Sequence, residues 1–486
     1  MDAREWEVVT AFQQFMREVV DHAQAEQADG QPLLVDAVTE HLGMPPDRLA
    51  TVRLDVPNHQ WVNLDIAMET IVAAHGGGQI IGIGGGDQRH HQTLGDLLSR
   101  RGSWGARVGA VDRARVETGP HTSREVTTMG LHLFSYHGSP VAALQRRANP
   151  QYGNACGLEV VADSAVSEDL LSEIRRVMVE RSVFRGQVLS FGLTDEMYGP
   201  SAGGIAFLER PEVAADAVIL PEGALDRIER HVAGAARHRE TLLAAGQHLK
   251  RGVLIYGPPG TGKTHTVRYL MGRLPGVTTV VLAGNALGLV AQATQLAQAL
   301  QPAMVVMEDV DLIAEHREYH GGPQPLLFTL LDAIDGLVSE ADVAFVLTTN
   351  RPDLLETALS QRPGRVDLAV EVPKPDRAAR RRLLLVYAGQ LGLSDPLLDE
   401  VAGRTSGVTA SFFKELARRA VLDAAEGGVP VSDDLVRSTL DDMLDESQQL
   451  TRALLGSASN RDEAGDGMGF LRGERTVVAP GRVNPL

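Results

Sequence analysis

Apolar residues open the chain at three- and four-residue steps, at Trp6, Val9, Phe12, Phe15, Met16, Val19 and Val20. That spacing predicts an amphipathic helix that needs a partner surface. The same period returns from Leu33 to Leu42 and stops at Gly43 and Pro45. Thr51 to Val56 reads as a strand and Val62 to Ala74 as a helix, while Gly-rich segments at 76–78 and 82–86 bracket Ile80-Ile81. Strand-like runs follow near 106–116, 125–136 and 157–162, so the first third is expected to be a mixed α/β or α+β region. Val166 to Val183 is patterned as a charged amphipathic helix, and Phe184 to Phe191 and Gly204 to Leu208 as strands flanking the loop Pro200-Ser201-Ala202-Gly203. A long helix is predicted from Pro221 to about Ala245, with proline where a missing N–H costs little, and Gly246 ends it.

Beyond that point come short continuous apolar runs, Val253-Leu254-Ile255-Tyr256, Ala303-Met304-Val305-Val306-Met307 and Val343-Ala344-Phe345-Val346-Leu347. Bounded by polar and glycine-rich sequence, they read as buried strands. From Pro375-Asp376 to about Leu450 the pattern is helical, over Arg377 to Leu391, Pro396 to Ala402, Ala410 to Ala425 and Ser432 to Leu444. After about Gly456 it becomes Gly-, Arg- and Asp-rich, which predicts a weakly ordered tail. The expected organisation is an N-terminal α/β recognition region (1–165), a connecting helix and strands (166–215), an α/β core (216–375), a helical segment (376–450) and the tail (451–486).

Composition narrows the function classes. With 63 acidic against 46 basic residues the net charge of -17 disfavours non-specific binding to nucleic acid or an anionic membrane. Cys156 is the single cysteine, so an intramolecular disulfide and a cysteine-based zinc site are both excluded, and the lone thiol reads as a small buried apolar group. No signal-like N-terminus and no run of 18 uncharged apolar residues occurs, so a cytoplasmic protein is expected.

The chemistry begins at Gly257-Pro258-Pro259-Gly260-Thr261-Gly262-Lys263-Thr264, which fits the phosphate-cradling pattern G-x-x-x-x-G-K-[ST] between a strand and the helix starting at His265. Only four of the 46 basic residues are lysine, and one of them, Lys263, stands where the pattern requires an ammonium to reach β- and γ-phosphates. Glu308-Asp309 at the tip of the second apolar run supplies the carboxylates that metal-assisted nucleotide hydrolysis needs. Thr264 would bind Mg²⁺ directly, one carboxylate would hold its water shell, and the other would orient or deprotonate the attacking water. Asn350, ending Thr348-Thr349-Asn350 at the tip of the third run, is a candidate γ-phosphate sensor, and Arg362 and Arg365 on a Pro-Gly turn suit stabilisation of a transferring phosphoryl group. Gly82-Ile83-Gly84-Gly85-Gly86 lacks both the dinucleotide spacing and a lysine and reads as a tight turn under close backbone approach. His90-His91 are consecutive, face different directions and have no carboxylate or cysteine at ligand spacing.

From about 216 to 445 the chain resembles the AAA ATPases. Their signatures appear in order as Leu249-Lys250-Arg251-Gly252-Val253-Leu254, the phosphate loop, Glu308-Asp309-Val310-Asp311, Leu330-Leu331-Asp332-Ala333-Ile334-Asp335-Gly336, Thr348-Thr349-Asn350 and Arg362-Pro363-Gly364-Arg365. The resemblance implies a P-loop NTPase core with a parallel sheet flanked by helices, a C-terminal helical lid, ATP and Mg²⁺ as cofactors, and a homo-oligomeric ring that is usually hexameric. It also implies that Arg362 and Arg365 act on the neighbour's nucleotide and that the ring remodels a protein partner, with an ATP-controlled assembly switch as the alternative. Three departures stand out. The acidic pair runs Glu308 then Asp309 rather than Asp then Glu; together with Arg-Pro-Gly-Arg-Val-Asp this looks like the branch of the mitochondrial Rieske-protein translocase, and the shorter Asp309 points to slower hydrolysis. No aromatic residue occurs from Leu270 to Glu318, where threading relatives grip substrate; Leu287-Gly288-Leu289-Val290 is the nearest counterpart, with Tyr319 in the loop beyond it. The lid has Ala410-Ser411 where Gly-Ala is usual.

Overall fold

The computed structural model describes residues 31–84, 86–99, 105–147, 156–191, 204–311, 340–353 and 366–454, together with positions 12, 14–16, 336 and 338. Most of the helix predicted at 6–20, the tail after 454, Tyr319, Arg362 and Arg365 lie outside them. Two seven-stranded sheets organise the described chain.

The first is antiparallel. Its strands are β1 (Ala50–Asp55), β2 (Gly78–Ile83), β3 (Val108–Gly109), β4 (Asp112–Gly119), β5 (Thr122–Tyr136), β6 (Ser139–Arg146) and β7 (Gly157–Ala162), in the order β1-β7-β6-β5-β2-β3 with β4 beside β5. Alternation along β5 and β6 sends Phe134, Tyr136, Val141 and Ala143 to one face, where α2 (Trp61–Ala74) and α4 (Ser164–Glu180) cover them. Leu131, Leu133, Ala142 and Leu144 face α1 (Leu34–Leu42) and α3 (Leu94–Ser99) on the other. Burial on both faces removes the polar alternation of a half-exposed strand, and β6 accordingly had no sequence counterpart. A Cβ on Gly82 would lie 1.7 Å from the Ala110 carbonyl oxygen, so the glycine is explained by close backbone approach. Cys156 is buried in the core.

This sheet encloses a polar chain. His132 Nε2 meets Gln145 Oε1 at 3.0 Å, and Gln145 Nε2 donates to Asp65 Oδ1 at 2.9 Å, which also accepts from the Thr127 amide at 3.0 Å. Burial pushes the His132 pKa down to about 4, against an opposing contribution from Gln145. Between that value and the ordinary 6.5 the unfolded chain binds a proton that the native state refuses, so the stability is present above pH 6.5 and lost as pH falls towards 4. Roughly 3 kcal/mol is at stake at about 1.4 kcal/mol per pKa unit. Thermal melts between pH 7 and 4 are expected to show this loss; burial also lowers the His59 pKa to about 4, so His132→Gln should lessen the slope and leave the His59 share.

The second sheet contains β8 (Val188–Phe191), β9 (Ile205–Leu208), β10 (Arg251–Tyr256), β11 (Thr278–Leu282), β12 (Ala303–Met307), β13 (Val343–Thr349) and β14 (Leu368–Glu371). Its order is β14-β10-β13-β12-β11-β8-β9, with parallel pairing throughout except between β8 and β9. The two strands expected in a connector before 216 therefore extend the core sheet. α5 (Ala224–Arg237) and α6 (Arg239–Ala244) replace the single long helix, with the break at His238. Arg251 and Asp342 form a buried ion pair at 2.7 Å, and the same guanidinium donates to the carbonyls of Val232 (2.7 Å) and Leu249 (2.8 Å), tying α5 to the start of β13. Arg251→Ala strands a buried carboxylate and should cost about 3–5 kcal/mol, measured by denaturant unfolding.

The two sheets share one apolar cluster, in which Trp61, Val62, Val116 and Val126 pack with Phe184, Leu189, Phe191 and Ile205. Asn63 reinforces it by accepting from the Val183 amide at 3.0 Å. At the other end, α9 (Arg377–Ala388), α10 (Asp395–Arg404), α11 (Ala410–Gly427) and α12 (Asp433–Leu454) enclose their own core around Phe413, Leu416 and Leu440.

Candidate functional site

β10 delivers the chain into the phosphate loop, and α7 (Lys263–Arg273) carries it away. The first N–H groups of α7 are thereby aimed at the space in front of the sheet, where a helix N-terminus favours an anion. Lys263 is 5% exposed. Its ammonium donates to the carbonyls of Gly257 (2.8 Å) and Pro258 (2.9 Å) and to Asn350 Oδ1 (2.7 Å). Burial lowers its pKa, while Asp309 and Asp311 oppose the shift. Thr261 Oγ1 closes the loop by donating to the Pro258 carbonyl at 2.9 Å.

The tip of β12 faces the loop. Burial raises the Glu308 pKa, the nearby Thr264 hydroxyl lowers it, Asp309 raises it further and Arg268 lowers it. A hydroxyl beside a carboxylate is a hard oxygen set that suits Mg²⁺. Asp309 adopts a left-handed backbone with φ of 50°, a region where Asp is several-fold enriched. Its amide donates to Thr348 Oγ1 at 3.0 Å, fixing it against β13. Asp311, to which sequence reasoning gave no role, organises the tip of β13: its Oδ1 accepts from Thr349 Oγ1 (2.9 Å) and from the Asn350 amide (3.1 Å). Its place two residues after Asp309 was the available signal.

A cavity of about 420 Å³ joins these groups to the helical segment. Pro259, Gly260, Gly262, Lys263, Thr264, His265, Asp309 and Asn350 line it from the core, and Tyr387, Ala410, Ser411 and Lys414 from α9 and α11. Burial lowers the His265 pKa, against the Ala217 backbone. Gly260 has φ of 75°, and a Cβ there would lie 2.4 Å from Ser411 Oγ, while the Ser411 amide donates to the Gly260 carbonyl at 3.0 Å. Phosphate loop and helical lid are thus in direct contact. Arg268 and Lys414 add two cations that the motif reading missed; each lies four residues, one helical turn, after Thr264 and Ala410.

Leu287-Gly288-Leu289-Val290, the nearest counterpart of a gripping segment, is mainly part of the core. Leu287 and Val290, the latter opening α8 (Val290–Ala299), are buried in the core with β11 and β12, and Leu289 is half-buried against it, so this stretch does not present an apolar pair outwards. Side chains that complete a core cannot also hold a substrate.

A parallel sheet, a glycine-rich loop capped by a helix, carboxylates at the neighbouring strand tips and a helical lid over the cavity together define a P-loop nucleotide-binding domain. Residues 253–374 match the family described as "ATPase family associated with various cellular activities (AAA)", so the chain carries an AAA-family domain. Over 230 residues it is 30% identical to the proteasome-activating nucleotidase of Methanocaldococcus jannaschii, covering 44% of this chain and 53% of that protein. It is also 34% identical over 261 residues to the ATP-dependent zinc metalloprotease FtsH 2 of Symbiobacterium thermophilum, covering 50% of this chain and 43% of that protein. The chain spans about half the length of these curated relatives. Among the described residues no helix is long and apolar enough to cross a membrane.

Proposed function

We propose that this chain is a cytoplasmic, Mg²⁺-dependent ATPase that assembles into a homo-oligomeric, hexameric ring and uses hydrolysis to remodel or translocate a protein partner bound through its N-terminal region. The observation that carries the reading is the Lys263–Asn350 contact beside Asp309, with Thr264 near Glu308 and the lid residues across the same cavity as Lys263 and Asp309. In this reading Lys263 neutralises phosphate charge, Asn350 reports the γ-phosphate and Asp309 orients the attacking water, while Thr264 and Glu308 hold Mg²⁺. The metal would neutralise charge building between the β- and γ-phosphates. Arg362 and Arg365 would act on the adjoining subunit's nucleotide. The names of the relatives, a proteasome-activating nucleotidase and an ATP-dependent protease, favour a motor over an assembly switch. The Glu308-Asp309 order would place the chain near the Rieske-protein translocase branch. This chain contains no His-Glu-x-x-His sequence, so peptide-bond hydrolysis is not part of the proposal.

The test is ATP turnover with and without a permanently unfolded protein. Stimulation is expected; ATP-driven assembly with unstimulated turnover would support the switch, and stimulation by DNA instead would overturn the protein-directed reading. Mixing Lys263→Ala with Arg362→Ala subunits, each inactive alone, should restore part of the turnover if the arginines act between subunits.

A further inference from the structure

Far from the phosphate loop, three elements of the antiparallel domain converge on two imidazoles and a carboxylate. His75 is the C-cap of α2, His137 stands at the tip of the β5–β6 hairpin, and Glu173 lies in the middle of α4. Their ligand atoms lie within 4.8 Å of one another, and among the described residues this is the group that meets that spacing. We propose that His75, His137 and Glu173 form a zinc-type metal site that fastens the hairpin tip to both helices.

Three observations support a built site. His75 Nδ1 donates to the Ile71 carbonyl at 2.9 Å, which assigns that nitrogen the proton and leaves Nε2 with its lone pair. A second ring nitrogen anchored on a backbone carbonyl is the usual support of a metal-bound histidine. Tyr136 Oη lies 2.8 Å from Glu173 Oε2 and 3.0 Å from Asp169 Oδ2, and its single proton, donated to the nearer Glu173, orients that carboxylate from behind. His137 has a left-handed φ of 48° next to Gly138 at 84°, and this turn brings its ring to 4.7 Å from that of His75. Positive φ at both central residues is what a two-residue hairpin turn between Tyr136 and Ser139 requires, and His is among the residue types that accept it.

Two imidazoles with one carboxylate select a borderline transition metal over Mg²⁺ or Ca²⁺. Bonds of about 2.0–2.2 Å in a tetrahedron need ligand atoms roughly 3.4 Å apart. Rotation of the exposed His137 ring would supply the approach. Arg176 now donates to Glu173 Oε1 at 3.0 Å, but its guanidinium is also held by both oxygens of Glu180, at 2.9 and 2.8 Å. It can therefore release Glu173 and stay paired. Water would complete the coordination, so the site is read as a fastening.

The experiment uses the full chain without a histidine tag, stripped with chelator and dialysed against micromolar Zn²⁺ near neutral pH. One bound equivalent is expected, with Co²⁺ giving the visible absorption of a tetrahedral nitrogen-oxygen site. His75→Gln or His137→Asn should each weaken binding at least about tenfold, and the double variant should lose the Co²⁺ band. Asn tolerates the left-handed turn, and circular dichroism checks that the variants fold. Zn²⁺ should raise the melting temperature of the wild type by several degrees and leave the double variant unmoved. No bound Zn²⁺, or an unchanged Co²⁺ spectrum in the folded double variant, overturns the proposal. ATP turnover without added Zn²⁺ is expected to be the same in all of them, which separates this site from the phosphate loop.

Discussion

Lys263→Ala is expected to lower ATP turnover by at least about a hundredfold and to remove tight nucleotide binding, while leaving the fold intact. The charge matters because of where it is held. Three oxygen acceptors fix the ammonium at the head of α7, so it is positioned before nucleotide arrives and needs little reorganisation when phosphate replaces those acceptors. Its surroundings also explain why stability should survive. Burial disfavours the charged form of Lys263, so truncation removes a desolvated cation along with its hydrogen bonds, and the two effects offset each other. Fluorescent-nucleotide titration, a coupled turnover assay and a thermal melt give the three readouts. Wild-type turnover in this variant would overturn the site assignment.

Asp309→Asn should separate binding from hydrolysis. The substitution keeps size and keeps a residue type that accepts the left-handed backbone seen at this position, so the Asp309 amide can still reach Thr348. What it removes is a carboxylate able to accept a proton or align water, a contribution of about 10²–10⁴ in rate. The expected variant binds ATP like the wild type and turns it over at least about a hundredfold more slowly. Loss of ATP binding in parallel with turnover would instead assign Asp309 to the metal. The same backbone observation bears on the reversed acidic order. A longer Glu would reach farther towards the water, but Asp is the carboxylate that better tolerates φ of 50°. Asp309→Glu thus sets reach against backbone strain, and its turnover relative to the wild type measures which wins.

The chemistry of the phosphate loop was legible because such a loop is local. Gly257 to Thr264 are contiguous, each has a reason to be its residue type, and a strand and a helix on either side are written in short apolar periods. The place of Glu308, Asp309 and Asn350 at strand tips was legible because strands buried on both faces end abruptly in polar residues. Other features depended on partners distant in sequence. Asp311 looks like one more acid after Asp309 until β12 and β13 are paired, when it proves to hold Thr349 and Asn350 in place. Leu287 and Val290 belong to the nearest counterpart of a gripping segment, but packing beneath the sheet made them core. β6 was invisible because burial on both faces erased its alternation, and β8 and β9 joined the nucleotide sheet through pairing with β11, which no local pattern encodes.

The sequence by itself determined where the phosphate-loop motif lies, that acidic and amide residues stand at the ends of two buried strands, and the order of sheet and lid, since these rest on contiguous residues and local periodicity. Only the tertiary structure decided that the lid touches the loop at Gly260, that the antiparallel domain shares a core with the nucleotide sheet, and that His75, His137 and Glu173 meet. Each of those joins residues far apart in the chain, and their proximity is set by strand pairing and by which faces must be buried, quantities that exist only once the whole chain has packed.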